Sequence, residues 1–197
     1  MSRSDRPPFL PGQYYHFYNR GARQFSIFRE HDNYLFVLHK VKKYCREYEI
    51  TPIAYCLMPN HYHFLLRQDG DSPARYVPQY TFNSYTKAYN KLYGHSGTLF
   101  EGHYRVKQIQ SNTHLLHLCR YIHCNPVKDG FIAHPADWPY SNYLEWIGAR
   151  DGTLFDLDFV REHFPNSGEY KTFVLDYLES RFVPPDVRVY LQELGEN

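Results

Sequence analysis

The sequence predicts an α+β fold in which a four-stranded antiparallel sheet carries helices on one face, followed by one further helix and a small helical extension. Three observations predict it. Segments of two-residue alternation are interleaved with segments of helical periodicity. Turn residues mark the boundaries between them. Apolar residues at 43% and charged residues at 22% give an ordinary globular composition. The 197 residues leave room for one main core plus an extension, since domains run to roughly 100–200 residues.

The elements follow in order. Gln-Tyr-Tyr-His-Phe-Tyr-Asn at 13–19 is rich in β-formers and is ended by Asn19-Arg20-Gly21, a strand and its turn. Asp32 is placed to cap a helix on which Leu35, Phe36, Leu38, Val41, Tyr44, Cys45 and Tyr48 recur at helical spacing, with Lys40, Lys42, Lys43 and Arg46 on the wetter side. Residues 50–58 and 61–67 flank Pro59-Asn60 as two antiparallel strands around a tight turn. After the turn cluster at 69–73, residues 76–93 read as a second long helix stopped by Gly94. Residues 104–109 alternate as a fourth strand. Asn112 or Thr113 would cap a third helix that Pro126 stops near Asn125. Strand, helix, strand, strand, helix, strand, helix is the order of a ferredoxin-like split β-α-β sheet with an appended helix. Beyond Asp137-Trp138-Pro139-Tyr140 the reading gives short amphipathic helices at 154–164 and 170–182. The predicted organisation is therefore a domain over 1–146 and an acidic helical extension over 147–197.

No window approaches the roughly 18 apolar residues of a membrane span, and no apolar core follows the first eight residues as in a signal peptide. The expected location is the cytoplasm. Cys45, Cys56, Cys119 and Cys124 form no Cys-x-x-Cys pair, which removes zinc-ribbon and thioredoxin-like readings in favour of reduced thiols. The net charge of +1 hides a segregation: residues 1–128 hold 17 Lys/Arg against 8 Asp/Glu, and residues 129–197 hold 5 against 13. A basic body with 20 Tyr, 14 Phe and 12 His interleaved is the footprint expected for a polyanion with stackable bases. The acidic extension either masks that basic face or completes the core.

Two constellations carry chemistry. In Met58-Pro59-Asn60-His61-Tyr62-His63, side chains two apart on a strand share a face, so His61 and His63 point the same way while Tyr62, Phe64 and Leu66 face the core. Such a pair needs a third ligand to make a metal site. On the third helix His117, Tyr121 and Asn125 are spaced by four and lie along one side. A phenol, with its pKa of about 10, becomes a useful nucleophile when a nearby cation stabilises the phenolate. Asn125 offers a carbonyl oxygen to that cation.

These residues resemble a family. Residues 58–63 are similar to the His-hydrophobic-His (HUH) segment of single-tyrosine transposases of insertion sequences. Tyr121-Ile122-His123-Cys124-Asn125-Pro126-Val127-Lys128-Asp129-Gly130 resembles the tyrosine helix of the branch associated with repetitive extragenic palindromes (REPs). Residues 15–21, 97–105 and 137–141 resemble further family segments in the same order, so the resemblance spans about residues 13–146. It implies His61 and His63 as metal ligands, Mg2+ or Mn2+ as cofactor, and Tyr121 as the nucleophile on a single-stranded DNA phosphate, leaving a 5′-phosphotyrosine. Asn125 stands where many relatives have Gln as an additional ligand. The implied partner is single-stranded DNA with hairpin structure. A homodimer stays open, because some relatives complete one site with the other subunit's tyrosine helix and others act as monomers. A DNA track is assigned to Arg20, Arg23, Lys40, Lys42, Lys43, Lys87, Lys91, Arg105 and Lys107. The competing readings are a non-catalytic ferredoxin-like nucleic-acid-binding module and a hydrolase with water as nucleophile at His61, His63 and His117.

Overall fold

The computed structural model describes residues 7–179 and 183–193. Its core element is an antiparallel sheet of β1 (Tyr14–Arg20), β2 (Ile50–Leu57), β3 (His61–Gln68) and β4 (Arg105–Ile109), in the order β2-β3-β1-β4. Helices α1 (His31–Glu47) and α2 (Tyr76–Tyr93) connect the strands and pack together on one face. Helix α3 (Asn112–Lys128) covers the other. This is the expected α+β sheet, with the α1 and α2 layer on one face and the tyrosine helix opposite.

Alternation along the strands builds both layers. Tyr15 and Phe17 of β1 with Tyr62, Phe64 and Leu66 of β3 enter the α1–α2 core, where Tyr62 stacks on Phe82 at 3.8 Å between centroids. Leu65 of β3 and Ala54 and Cys56 of β2 pack toward α3. The register of β2 shifts between Pro52 and Ala54. The Ile53 carbonyl released there accepts from Asn142 Nδ2 at 2.8 Å and Trp146 Nε1 at 3.0 Å. Asn142 Oδ1 in turn accepts from the Tyr55 amide at 2.8 Å, so one buried amide ties the segment after α3 to the sheet.

Several boundaries differ from the sequence reading. Helix α1 begins behind Glu30, not at an Asp32 cap, and Asn33 Oδ1 accepts from the Arg29 amide at 2.9 Å. Ser111, not Asn112 or Thr113, caps α3 by accepting from His114 N–H. Pro126 does not stop α3, which runs on to Lys128. Proline lacks only its own N–H, and one turn from the end the following amides close the helix: Asp129 N–H donates to Asn125 O and Phe131 N–H to Pro126 O, both at 2.9 Å.

The C-terminal helices are α4 (Tyr143–Trp146), α5 (Leu157–His163), α6 (Ser167–Leu178) and α7 (Pro185–Glu193). Helices α4 and α7 were not expected from the pattern, and residues 180–182 at the expected end of the second helix lie outside the described residues. Phe159, Val160, Tyr170, Val174, Tyr177, Val187 and Leu191 join Leu118, Tyr121 and Ile122 of α3 in one apolar cluster. Tyr170 reaches the centre of that cluster, with its hydroxyl 2.5 Å from His123 Nδ1. Among the described residues no helix is long and apolar enough to cross a membrane.

Candidate active site

His61 and His63 leave the face of β3 opposite the α1–α2 core, because Tyr62 and Phe64 fill that core. The turn before them is held from outside the hairpin. Ile27 and Phe28 amides donate to Pro59 O at 2.7 and 3.0 Å, and the Gly21 amide donates to Asn60 O at 2.7 Å. Position 21 must be glycine for this approach, since a Cβ there would stand 2.1 Å from Phe25 O.

Helix α3 crosses this face with Tyr121 and Asn125 toward the histidines. Asn125 Nδ2 donates to Tyr121 O at 2.8 Å, which orients the amide so that Oδ1 faces His61 Nε2 at 3.3 Å. The Tyr121 ring lies edge-on to His63, with centroids 5.6 Å apart at 85°. All four side chains come from one chain and line one cleft of about 740 Å³, with Tyr18, Arg20, Asn60, Glu101, Arg105 and Asp129 on its walls. Arg20 pairs opposite His61 in the sheet register, and Arg105 opposite Tyr18. The exposed Arg20 guanidinium is ion-paired with Glu101, whose carboxyl is lowered by that hydrogen bond.

Behind His63 stands a residue the sequence reading did not single out. His16 of β1 is fully buried, its Nε2 2.9 Å from His63 Nδ1 and its Nδ1 2.9 Å from the Tyr190 hydroxyl on α7. Burial, then the Lys107 ammonium, push His16 down to about 3. Burial, then His16 and His61, push His63 well below the usual histidine range. Both imidazoles are therefore neutral near pH 7, the state in which a ring nitrogen ligates a cation. The strand alternation that places His61 and His63 also places His16, Tyr18 and Arg20 on the same face. The contact itself depends on β1–β3 register, which no local pattern states.

The donor set fits a divalent cation. His61 Nδ1 lies 2.7 Å from Asn60 Oδ1, so a proton held there leaves the Nε2 lone pair facing the Asn125 carbonyl oxygen. In that tautomer His61 Nε2 and the Asn125 carbonyl oxygen, 3.3 Å apart, are neighbouring donors to one cation. Among the described residues no three His, Cys, Asp or Glu side chains converge as a metal site, so the set is two imidazoles and an amide oxygen.

The expected DNA track divides. Arg20 and Arg105 line the cleft, Arg23 is exposed on the adjoining loop at φ 55°, and Lys107 lies on the same face, 4.8 Å from the Tyr190 ring centre. Lys40, Lys42 and Lys43 on α1 and Lys87 and Lys91 on α2 belong to the layer behind the sheet. His117 packs against Phe173 of α6 with centroids 5.3 Å apart and is not among the cleft residues.

Residues 10–125 match the family model described as "Transposase IS200 like". A curated REP-associated tyrosine transposase of Haemophilus influenzae is 28% identical over 114 residues, a match spanning 52% of this chain and 64% of that protein. The solved structure of a REP-associated tyrosine transposase bound to a REP hairpin superposes with a TM-score of 0.60 at 20% identity, covering 80% of this chain and 95% of that one, a likeness of fold. The family model covers more than half the chain and takes in both histidines and the tyrosine, so this chain belongs to the IS200-like transposase family.

Proposed function

We propose that the chain is a strand-transfer enzyme that nicks and rejoins single-stranded DNA beside a hairpin, through a covalent link to Tyr121. The observation that carries this reading is the convergence of His61, His63, Tyr121 and Asn125 from one chain in one cleft walled by Arg20 and Arg105. The REP hairpin held by the solved relative supports a hairpin as the ligand here.

The Tyr121 oxygen attacks the phosphorus, the P–O3′ bond breaks, and the proton lost by the phenol is balanced by protonation of the departing 3′-oxygen. The products are a 5′-phosphotyrosine and a free 3′-hydroxyl. One phosphoester is exchanged for another, so attack by a DNA 3′-hydroxyl reverses the step without ATP. His61, His63 and the Asn125 carbonyl would hold Mg2+ or Mn2+, which when bound polarises a phosphoryl oxygen and stabilises the phenolate. Arg20 and Arg105 bind flanking phosphates, and the edge-on contact with His63 fixes the Tyr121 ring. With ligands and nucleophile in one chain, a monomer suffices and no partner's tyrosine is needed. Residues 1–146 would carry the chemistry, with the later helices completing the core around α3.

The test is covalent capture. Protein and its Tyr121→Phe variant are incubated with hairpin oligonucleotides from the DNA flanking the gene, with and without Mg2+ or Mn2+, and run on a denaturing gel. A metal-dependent, protease-sensitive protein–DNA band is expected, and the variant should lose it entirely while keeping hairpin affinity within about 3-fold, since only one hydroxyl is removed. Cleavage without an adduct, undiminished in the variant, would mean that water is the nucleophile.

A further inference from the structure

The ring nitrogens of His63 are unequally placed. Nδ1 is committed to His16 Nε2 at 2.9 Å, so Nε2 is the atom left for a cation in the cleft. Two neutral imidazoles in line share one proton between them, and the two ways of placing it have opposite consequences. If His16 donates from Nε2, His63 must carry its own proton on Nε2 and has no lone pair to offer. If His63 donates from Nδ1, its Nε2 lone pair points at the cleft, and His16 keeps its proton on Nδ1, facing the Tyr190 oxygen at 2.9 Å. Tyr190 can accept that proton because a hydroxyl both donates and accepts.

The rings are also fixed in orientation. His16 and His63 stack at 16° with centroids 5.1 Å apart, and Tyr18 stacks on both, at 4.9 Å from His16 and 5.9 Å from His63. His16 is fully buried between Leu65 and Lys107 in the sheet register, so it cannot turn away to water. Asn60 stands in the same relation to His61, 2.7 Å from its Nδ1.

We propose that His16 is a positioning residue for the cation site: its Nε2 accepts the Nδ1 proton of His63 and thereby presents the Nε2 lone pair of His63 to the cleft. The inference rests on the reading of His63 as a metal ligand. Ligating histidines generally need such an outer partner, and removing one lowers metal affinity roughly 10- to 100-fold.

The experiment compares His16→Leu, His16→Gln and His16→Asn in the full chain without DNA. Mn2+ affinity is measured by electron paramagnetic resonance, and the His63 tautomer by 15N chemical shifts in the metal-free protein and with diamagnetic Mg2+. The Gln side chain ends where imidazole Nε2 does, whereas Asn ends nearer Nδ1. His16→Leu should lose about 10-fold or more in Mn2+ affinity. His16→Gln should recover most of that loss and His16→Asn should not, with the Nδ1–H form of His63 dominant in the Mg2+-loaded wild type. A purely structural role would follow thermal stability and would not separate Gln from Asn. If His16→Leu does not fold, equal Mn2+ affinity in the Gln and Asn variants still overturns the proposal. His63→Ala distinguishes the two levels. Should it lose Mn2+ while His16→Leu binds normally, positioning by His16 is wrong and the metal site stands. Should His63→Ala bind Mn2+ as the wild type does, the ligand assignment fails and the role of His16 fails with it.

Discussion

The two faces of the sheet are made from alternate residues of the same strands. On one, Tyr15, Phe17, Tyr62, Phe64 and Leu66 meet α1 and α2 in a core of aromatic and aliphatic side chains. On the other, His16, Tyr18, His61, His63 and Arg105 share the side on which His61 and His63 meet α3, and water is excluded just as fully from His16, His63 and Asn125. A buried apolar ring needs only volume around it, whereas a buried imidazole or amide needs a partner for each polar atom. The first face therefore specifies packing, and the second adds bonding to the apolar packing of Leu65, Ala54 and Cys56 on α3. A strand with a two-residue period supplies both without a loop, which puts His61 and His63 on a rigid support.

That contrast breaks most readily on the dry face. Phe64 is 1% exposed, with its ring 5.9 Å from Tyr55 and 6.2 Å from Phe82. Phe64→Ala should destabilise the chain by about 3–5 kcal/mol in urea unfolding. A loss below about 1 kcal/mol would mean that this face collapses around the gap and is not close-packed.

The buried polar groups of α3 should show themselves in pH. Burial holds His123 down to about 4, with its Nε2 2.9 Å from Asn142 Oδ1 and its Nδ1 against the Tyr170 hydroxyl. The folded value lies below the unfolded one of about 6.5, so the unfolded chain binds the extra proton between the two. Stability is intact above about pH 6.5 and falls as pH drops toward the folded value, by an order of 2 kcal/mol at pH 5 from this residue alone. Urea unfolding of the metal-free protein at pH 7 and pH 5 measures the loss. His123→Gln should reduce it, and an unchanged pH dependence in that variant would remove His123 as its source.

The same contrast decides what the sequence reveals. The dry face was legible because its partners are amphipathic: α2 is found at 76–93 as its periodicity and Gly94 indicate, and Gly94 takes φ 59° at the helix end. Helix α3 is different, since every residue from His117 to Pro126 is buried. A helix covered on all sides has no polar stripe to show which side meets which neighbour: of His117, Tyr121 and Asn125, the last two line the cleft and His117 packs on Phe173. Tyr121 with Asn125, and His61 with His63, were legible because each pair is set by local spacing. The contacts of His16 with His63 and of Tyr170 with His123 join positions 47 residues apart, and only the assembled sheet and the docked α6 make them. Helix α7 begins at Pro185, the residue type that favours a first helical turn, a signal that its short length concealed.

The smallest effect bears on the widest claim, that DNA follows the polar face alone. Arg105 is exposed at the cleft wall, and Lys42 and Lys43 are exposed on α1 behind the sheet. Each phosphate contact contributes roughly 0.7 to the slope of log affinity against log salt for single strands. Arg105→Ala should flatten hairpin binding by about one such contact. The Lys42→Ala, Lys43→Ala double variant should leave the slope alone, although the two lysines add more charge to the basic half than Arg105 does. Salt titrations of hairpin affinity from about 50 to 200 mM resolve the difference. If the lysine variant flattens the slope as much as Arg105→Ala, the strand wraps around the α1 edge. Charge would then be recruited from both layers, and the division between a packing face and a bonding face would apply to the chemistry but not to the grip on DNA.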